Sequence, residues 1–330
     1  MKVGVYFDVR NPGGQQPWPH VYGEVIELCE EAERLGAHSA WFSEHHGFVD
    51  GYLSQPLTLA AAVAGRTTRI RLGTAVLVAT LRRPAHLAEE AAVVDLISDG
   101  RLDLGIGAGY RRSEFELYGI DPDAKPLARL FAAYGELRRI FDGDELNPPP
   151  VQQPLPIWLG CNGPVGARTV GRLGGRLLSL RRRIIDDYHQ GLREGGHVVA
   201  SSSVSGPVNL FLADDPDRVR PAVRAAYRYR WESYAAHADG PASPARDMDR
   251  AEAIGLSGGQ AGLLIARVED AARLLREHFA GVSVESIFTW ARLPGVAPEA
   301  MHRHLELWCR DLPTLLAEGT GATQQEVHGV

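Results

Sequence analysis

Ser39-Ala40-Trp41-Phe42-Ser43-Glu44-His45-His46-Gly47-Phe48 is an apolar run that ends abruptly in a carboxylate and two adjacent imidazoles. Ser39 to Ser43 reads as a buried strand, so Glu44, His45 and His46 fall just past its C-terminal end. Loops at that end of the strands build the active sites of parallel α/β barrels. Imidazole also has the unperturbed pKa best suited to proton transfer near neutral pH. The competing reading is a capping loop whose histidines only satisfy backbone groups. The rest of the chain has to decide between the two.

Strand and helix signals alternate on both sides of this stretch. Val3 to Phe7 is short and apolar, as a buried parallel strand should be. Tyr22 to Leu35 predicts a helix, with Val25, Leu28, Cys29, Ala32 and Leu35 on one face and Gly36 as its stop. Pro56 to Ala64 predicts a second helix and Arg69 to Val76 a third strand. Pro84 opens a helix at a first-turn position and Asp99-Gly100 closes it. Strand four is Leu102 to Ile106, followed by a helix with Leu127, Leu130, Phe131, Tyr134, Leu137, Ile140 and Phe141 on its apolar side. The proline-rich stretch Asn147 to Pro156 reads as a surface loop. Further strands are expected at Ile157–Gly160, Arg176–Ser179, Val208–Leu212 and Ser286–Trp290. Met301, Leu305, Trp308, Leu312 and Leu315 mark the last helix.

Eight strands alternating with helices predict the α/β class and a (β/α)8 TIM barrel, as a single domain over residues 1–330. An open doubly wound sheet with a second domain is the alternative. Residues 237–262 lack periodicity, and either a mobile active-site lid or a plain surface excursion would explain them.

Composition excludes several functions. A net charge of −6 without a basic stripe argues against nucleic acid as a partner. Arg181-Arg182-Arg183 reads as a solvated helix start rather than a phosphate site. No apolar run approaches the roughly 20 residues that cross a bilayer, and the N-terminus lacks a signal peptide's pattern. Cys29, Cys161 and Cys309 are too few and too scattered for a disulfide framework or a zinc site. A cytoplasmic protein with no membrane partner is expected.

Leu104-Gly105-Ile106-Gly107-Ala108-Gly109-Tyr110 is G-x-G-x-G with Tyr110 where a dinucleotide fingerprint needs glycine, and it follows the fourth strand rather than the first. Its glycines, Gly107 and Gly109 among them, let backbone approach something flat or anionic; tight strand-to-helix packing explains them equally well. Consecutive Glu44, His45 and His46 cannot all reach one metal ion without a kink, and there is no G-x-S-x-G nucleophile elbow.

The whole chain resembles the bacterial-luciferase-like family of flavin-dependent monooxygenases, most densely from Ala32 to Asp121. The resemblance rests on Ala37 to His46, Arg69 to Val76, Pro84 to Glu89, Asp95 to Gly107, Glu114-Phe115, Gly119 and Asp121. Pro156 to Gly160 and Ser286 to Leu312 fit the family's later strands and last helix. The resemblance implies a barrel with flavin at its C-terminal mouth and His45 as catalytic residue, positioned by His46 and Glu44. It also implies a non-prolyl cis peptide at Ala75-Val76 beneath the flavin ring, with Gly107 and Tyr110 beside it and Asn162 and Gly163 near the phosphate. Ala108 stands where the luciferase α subunit has a phosphate-binding arginine, and Arg129 would supply that charge.

The implied chemistry is oxygenation of a small, largely apolar substrate by reduced FMN and dioxygen through a flavin 4a-hydroperoxide. A separate NAD(P)H-flavin reductase would deliver the flavin, and a homodimer is expected. Two alternatives share the barrel: hydride transfer with 8-hydroxy-5-deazaflavin, and non-catalytic flavin binding. Phe7 and Trp290, at the ends of strands one and eight, would form an aromatic wall with Phe48 and Tyr110. Filling the top layer of the barrel is the other role open to Phe7 and Trp290.

Overall fold

Successive side chains in a strand point to opposite faces, and β1 (Lys2–Phe7) divides its residues accordingly. Val3, Val5 and Phe7 join one hydrophobic cluster, whereas Tyr6 joins another. The computed structural model, which describes residues 1–123, 125–238 and 262–318, explains the division. β1 lies in a closed barrel, with Tyr6 inside and its neighbours facing the helices.

The ring consists of eight parallel positions. β1 pairs with β2 (Ser39–Phe42), and β2 with β3 (Arg71–Thr74). β3 and β4 (Leu77–Val78) share one position and both pair with β5 (Leu102–Gly107). β6 (Ile157–Gly160), β7 (Arg176–Leu178) and β8 (Val204–Pro207) follow in order. β11 (Val284–Trp290) joins β8 and returns to β1, closing the barrel. Helices between strands cover the outside, including α1 (Trp18–Arg34), α2 (Pro56–Ala64), α3 (Pro84–Ile97), α5 (Pro126–Asp142) and α9 (Val268–His278), with the short α4 (Arg112–Leu117) after β5.

Inside, aromatic rings fill the barrel. Trp41 stacks on Phe288 at 4.8 Å between centroids and meets Trp158 edge-on at 6.3 Å. Room for Trp41 comes from Gly73, where a Cβ would lie 2.2 Å from the indole. The indole nitrogens are satisfied by Ser39 Oγ (2.8 Å) and Asp103 Oδ1 (3.2 Å), as buried donors require.

One strand assignment is corrected. The expected seventh strand, Val208–Leu212, is not in the ring. That position belongs to β8, while β9 (Leu210–Leu212) leaves the barrel and pairs with β10 (Leu264–Ala266). Val204-Ser205-Gly206-Pro207 is polar, small and proline-ended, which usually demotes a strand. Small residues are needed on both faces there: inside the barrel Ser286 Oγ donates to Ser205 Oγ at 3.0 Å, and toward the helices a Cβ on Gly206, the partner of Ile287, would sit 3.0 Å from Leu180. The last helix is interrupted. It runs as α10 (Pro298–Glu306), one wider i→i+5 turn (Leu307–Asp311) and α11 (Leu312–Glu318). Trp308 in the wide turn donates to Gly4 O at 2.8 Å. Of the expected lid at 237–262, residues 239–261 lie outside the described residues. Among the described residues, no helix is long and apolar enough to cross a membrane.

His304, on α10, is fully buried and stacks on Phe211 at 4.4 Å. Its Nδ1 accepts from Leu212 N at 2.9 Å, which ties α10 to β9. Burial pushes this imidazole down to about 3. Protons therefore bind the unfolded chain first as pH drops below about 6.5, and stability is lost from there towards pH 3. The expected slope from this group is about 1.4 kcal/mol per pH unit. Urea midpoints between pH 7 and 4.5 should fall less steeply in His304→Gln; parallel curves would refute the assignment.

Candidate active site

The C-terminal ends of the strands face a cavity with two lobes that share Tyr6, His45, Ala75, Val76, Tyr110, Gly160, Asn162 and Tyr234. His45 lines both lobes. Its Nδ1 lies 2.8 Å from Glu114 Oε1, so the carboxylate fixes the tautomer and leaves Nε2 for proton exchange. Tyr110 OH is 3.5 Å from that nitrogen. Glu114 also accepts from His46 N (2.9 Å) and from Arg111 Nη1 (3.3 Å). Burial alone would raise the Glu114 carboxyl, but the His45 hydrogen bond, the His46 amide and Arg111 outweigh it and lower the value. Glu114 is thus an anion at neutral pH. Its stabilising contribution is complete above the ordinary carboxylate range and is lost as pH falls through its lowered pKa.

His46 and Glu44 do not position His45 by direct contact, contrary to expectation. Residues 45 and 46 are adjacent, so their side chains diverge at the strand end. His46 turns away from the cavity, with Nε2 2.7 Å from Glu44 Oε1 and Nδ1 3.2 Å from Tyr118 OH. Glu44 also accepts from Val78 N and Arg82 Nη1, both at 2.7 Å. This second pair ties the loop after β2 to β4.

The shared floor lies where the third barrel strand breaks. Ala75-Val76 is a non-prolyl cis peptide, and Tyr6 OH donates to Ala75 O. The Val76 methyls occupy the space in which Gly107 and Gly160 would carry side chains: a Cβ would lie 2.4 Å and 2.5 Å away, respectively. Gly107, Gly109, Asn162 and Gly163 line the lobe toward α6 (Pro164–Arg172), as do Val165 and Gly166 in its first turn.

Other expected residues fall elsewhere. Phe7 is in the shell between barrel and helices, 6.0 Å from Phe42; a single step along the strand reverses the face, and Tyr6 takes the inward place. Phe48 backs His45 at 5.0 Å, stacked between His237 (4.1 Å) and the Arg111 guanidinium (4.6 Å), and does not line the cavity. Arg129 donates to Thr80 O at 2.8 Å and is absent from the lining, because α5 aims it at the turn after β4. Trp290 does line the cavity, but Arg230 Cζ lies 3.2 Å from its ring centroid, so that wall is aromatic and cationic together. Arg181, expected as solvated, also lines this lobe just before α7 (Arg182–Glu194).

The largest omission from the sequence reading is α8 (Pro216–Ala236), which brings Tyr227, Arg230, Trp231 and Tyr234 over the mouth. Val223, Tyr227, Arg230 and Tyr234 follow 4-3-4 spacing, which is a helical stripe. An arginine in the stripe hides it from a search for apolar residues. Beneath α8, Arg10 lies 3.2 Å from Asp8 and 2.8 Å from Asp50, and Arg230 lies 3.4 Å from Asp8.

Residues 1–286 match the luciferase-like monooxygenase family. The chain belongs to that family. Among curated relatives of this luciferase-like protein is the oxygenase component of flavin-dependent trigonelline monooxygenase from Acinetobacter baylyi. It is 35% identical over 179 residues, 50% of this chain and 50% of the relative. F420-dependent glucose-6-phosphate dehydrogenase from Amycolatopsis mediterranei is 32% identical over 173 residues, 46% of this chain and 51% of that one. The luciferase-like chain thus spans about half the length of the curated relatives it matches. A monooxygenase from Streptomyces bottropensis shares the fold, with a TM-score of 0.80 at 24% identity, covering 95% of this chain and 99% of that one.

Proposed function

We propose that this luciferase-like protein is the oxygenase component of a two-component monooxygenase. It takes reduced FMN from a separate NAD(P)H-dependent reductase and uses dioxygen to oxygenate a small organic substrate. The observation that carries this reading is His45, held at Nδ1 by Glu114, at the junction of two lobes that share the Ala75-Val76 floor. The trigonelline relative, itself named an oxygenase component, supports it.

The lobe lined by Gly107, Gly109 and Gly163 suits a planar ring system. With Val76 filling the space at Gly107 and Gly160, nothing larger than hydrogen rises from the floor at those two positions. The first-turn amides of α6 are oriented to hold a phosphate. When bound, reduced flavin supplies the electrons that activate dioxygen. The chain's own residues then do four things. The floor and the α6 amides orient the cofactor. Tyr227, Trp231 and Tyr234 on α8 shield the second lobe from water. His45 exchanges a proton at Nε2 with the oxygen being transferred or with substrate, and Glu114 stabilises the resulting imidazolium.

The test is anaerobic titration with reduced FMN and, in parallel, with F420, followed by 18O2 and candidate substrates. Binding of reduced FMN and one labelled oxygen in the product are expected. Tight binding of F420 without reduced FMN would instead assign deazaflavin-dependent hydride transfer. Rapid NAD(P)H oxidation by the purified chain with added FMN would refute a separate reductase. Immediate release of peroxide whatever the substrate would point to flavin binding without oxygenation.

A further inference from the structure

We propose that the cavity lobe beneath α8 is an anion subsite, and that the substrate is a flat molecule carrying a carboxylate rather than an uncharged one. The inference rests on the oxygenase reading only in treating this lobe as the substrate's.

Two guanidiniums, Arg181 and Arg230, line the lobe together with Ser179, Asn209 and Trp290. No aspartate or glutamate is among its described lining residues. Among the described residues, the carboxylates behind the wall are already engaged. Asp8 is shared between Arg10 at 3.2 Å and Arg230 at 3.4 Å, and Asp50 accepts from Arg10 at 2.8 Å and Ser233 Oγ at 2.9 Å. Glu114 is held by His45 and Arg111 on the far side of the imidazole.

Arg230 is 5% exposed, and its Nη1 has no hydrogen-bond partner among the described residues. Ser179 Oγ, 4% exposed in the same lobe, also lacks one. Donors buried without acceptors are costly, and a site built for a ligand is where such a deficit is tolerated. Guanidinium is the group whose planar fork matches a carboxylate, and stacking on the Trp290 ring fixes the plane of that fork. Tyr6 lies 4.0 Å from the Trp290 ring on the barrel side, so the surface beside the cation is aromatic and suits a planar ligand. A substrate anchored there by its carboxylate lies in the lobe that His45 also lines.

The test measures benzoate and its neutral isostere benzamide against the full-length, flavin-free protein by calorimetry, with Trp fluorescence as a second signal. Benzoate is expected to bind about 10–100-fold tighter than benzamide, the range of one or two charge-assisted hydrogen bonds. In Arg230→Gln the preference should fall below about 3-fold, with Arg181→Gln intermediate. FMN affinity should stay within a few-fold in both variants. Equal binding of benzoate and benzamide to the native protein overturns the proposal and needs no substitution. It is also overturned if inorganic phosphate displaces benzoate while Arg230→Gln loses FMN but keeps riboflavin, because the lobe then holds the cofactor's phosphate. Failure of the oxygenase reading would appear separately, as absence of labelled product with these binding preferences intact.

Discussion

His45→Ala is expected to cut oxygenation by about 10²–10⁴-fold while reduced FMN still binds within a few-fold of its native affinity. On the proposed reading, the imidazole contributes a proton at one atom, Nε2, and the cofactor rests on a floor that His45 does not build. Glu114→Gln should cost about 10²-fold or more, although the cavity keeps every lining residue. A glutamine amide retains the contact to Nδ1 but not the negative charge that stabilises an imidazolium, and it can favour the wrong tautomer. Single-turnover mixing of the reduced-flavin complex with oxygenated buffer and substrate separates these steps from cofactor binding. Glu44→Gln should have a smaller effect on chemistry, since Glu44 holds His46, Val78 and Arg82 rather than His45. Native turnover in His45→Ala, or a larger loss in Glu44→Gln than in Glu114→Gln at equal stability, would sink the assignment.

Arg10→Met should destabilise the protein by about 3–5 kcal/mol, because it leaves buried carboxylates without their cation. Arg10 is 1% exposed, and its guanidinium lies over the rings of Tyr52 (4.7 Å) and Tyr234 (4.6 Å). Among the described residues, Asp8 would retain Arg230 and the backbone N of residue 10, and Asp50 the hydroxyls of Tyr229 and Ser233. Between Asp8 and Arg10, Val9 adopts φ +59, a conformation that is costly for a β-branched residue. The ion pairs on either side hold it there. The same pairs join the loop after β1, the loop after β2 and α8, so their loss should also loosen the cover of the active site. Urea unfolding measures the first effect, and protease sensitivity within α8 the second. Asp8→Asn with Asp50→Asn should recover much of the stability of Arg10→Met. A loss below about 1 kcal/mol would show that the cluster is solvated and does not behave as a buried network.

The strand-two stretch and its alternating surroundings made the barrel legible because burial on both faces writes parallel strands as short apolar runs. Where the interior demands small polar residues that writing fails, and Val204–Pro207 looks less like a strand than the more apolar Leu210–Leu212. Phe7 and Tyr6 show a related limit. Both are apolar enough for either face, and only the pairing of β1 with β2 and β11 decides which of them looks inward.

What the sequence by itself determined is local: the element order, the strand end at Ser43, and an imidazole just beyond it. Resemblance to a known family added the position of the cis peptide. The tertiary structure alone decided the partners. Glu114 reaches His45 across 69 residues, and Asp50 and Arg10 meet across 40. Arg230 arrives over Trp290 from α8, whose arginine-bearing stripe carries no apolar periodicity. A charged side chain signals nothing about its partner along the chain, because its interactions are made through space once burial has removed competing water. Apolar periodicity is a property of neighbours in sequence, and ion pairing is a property of neighbours in the fold.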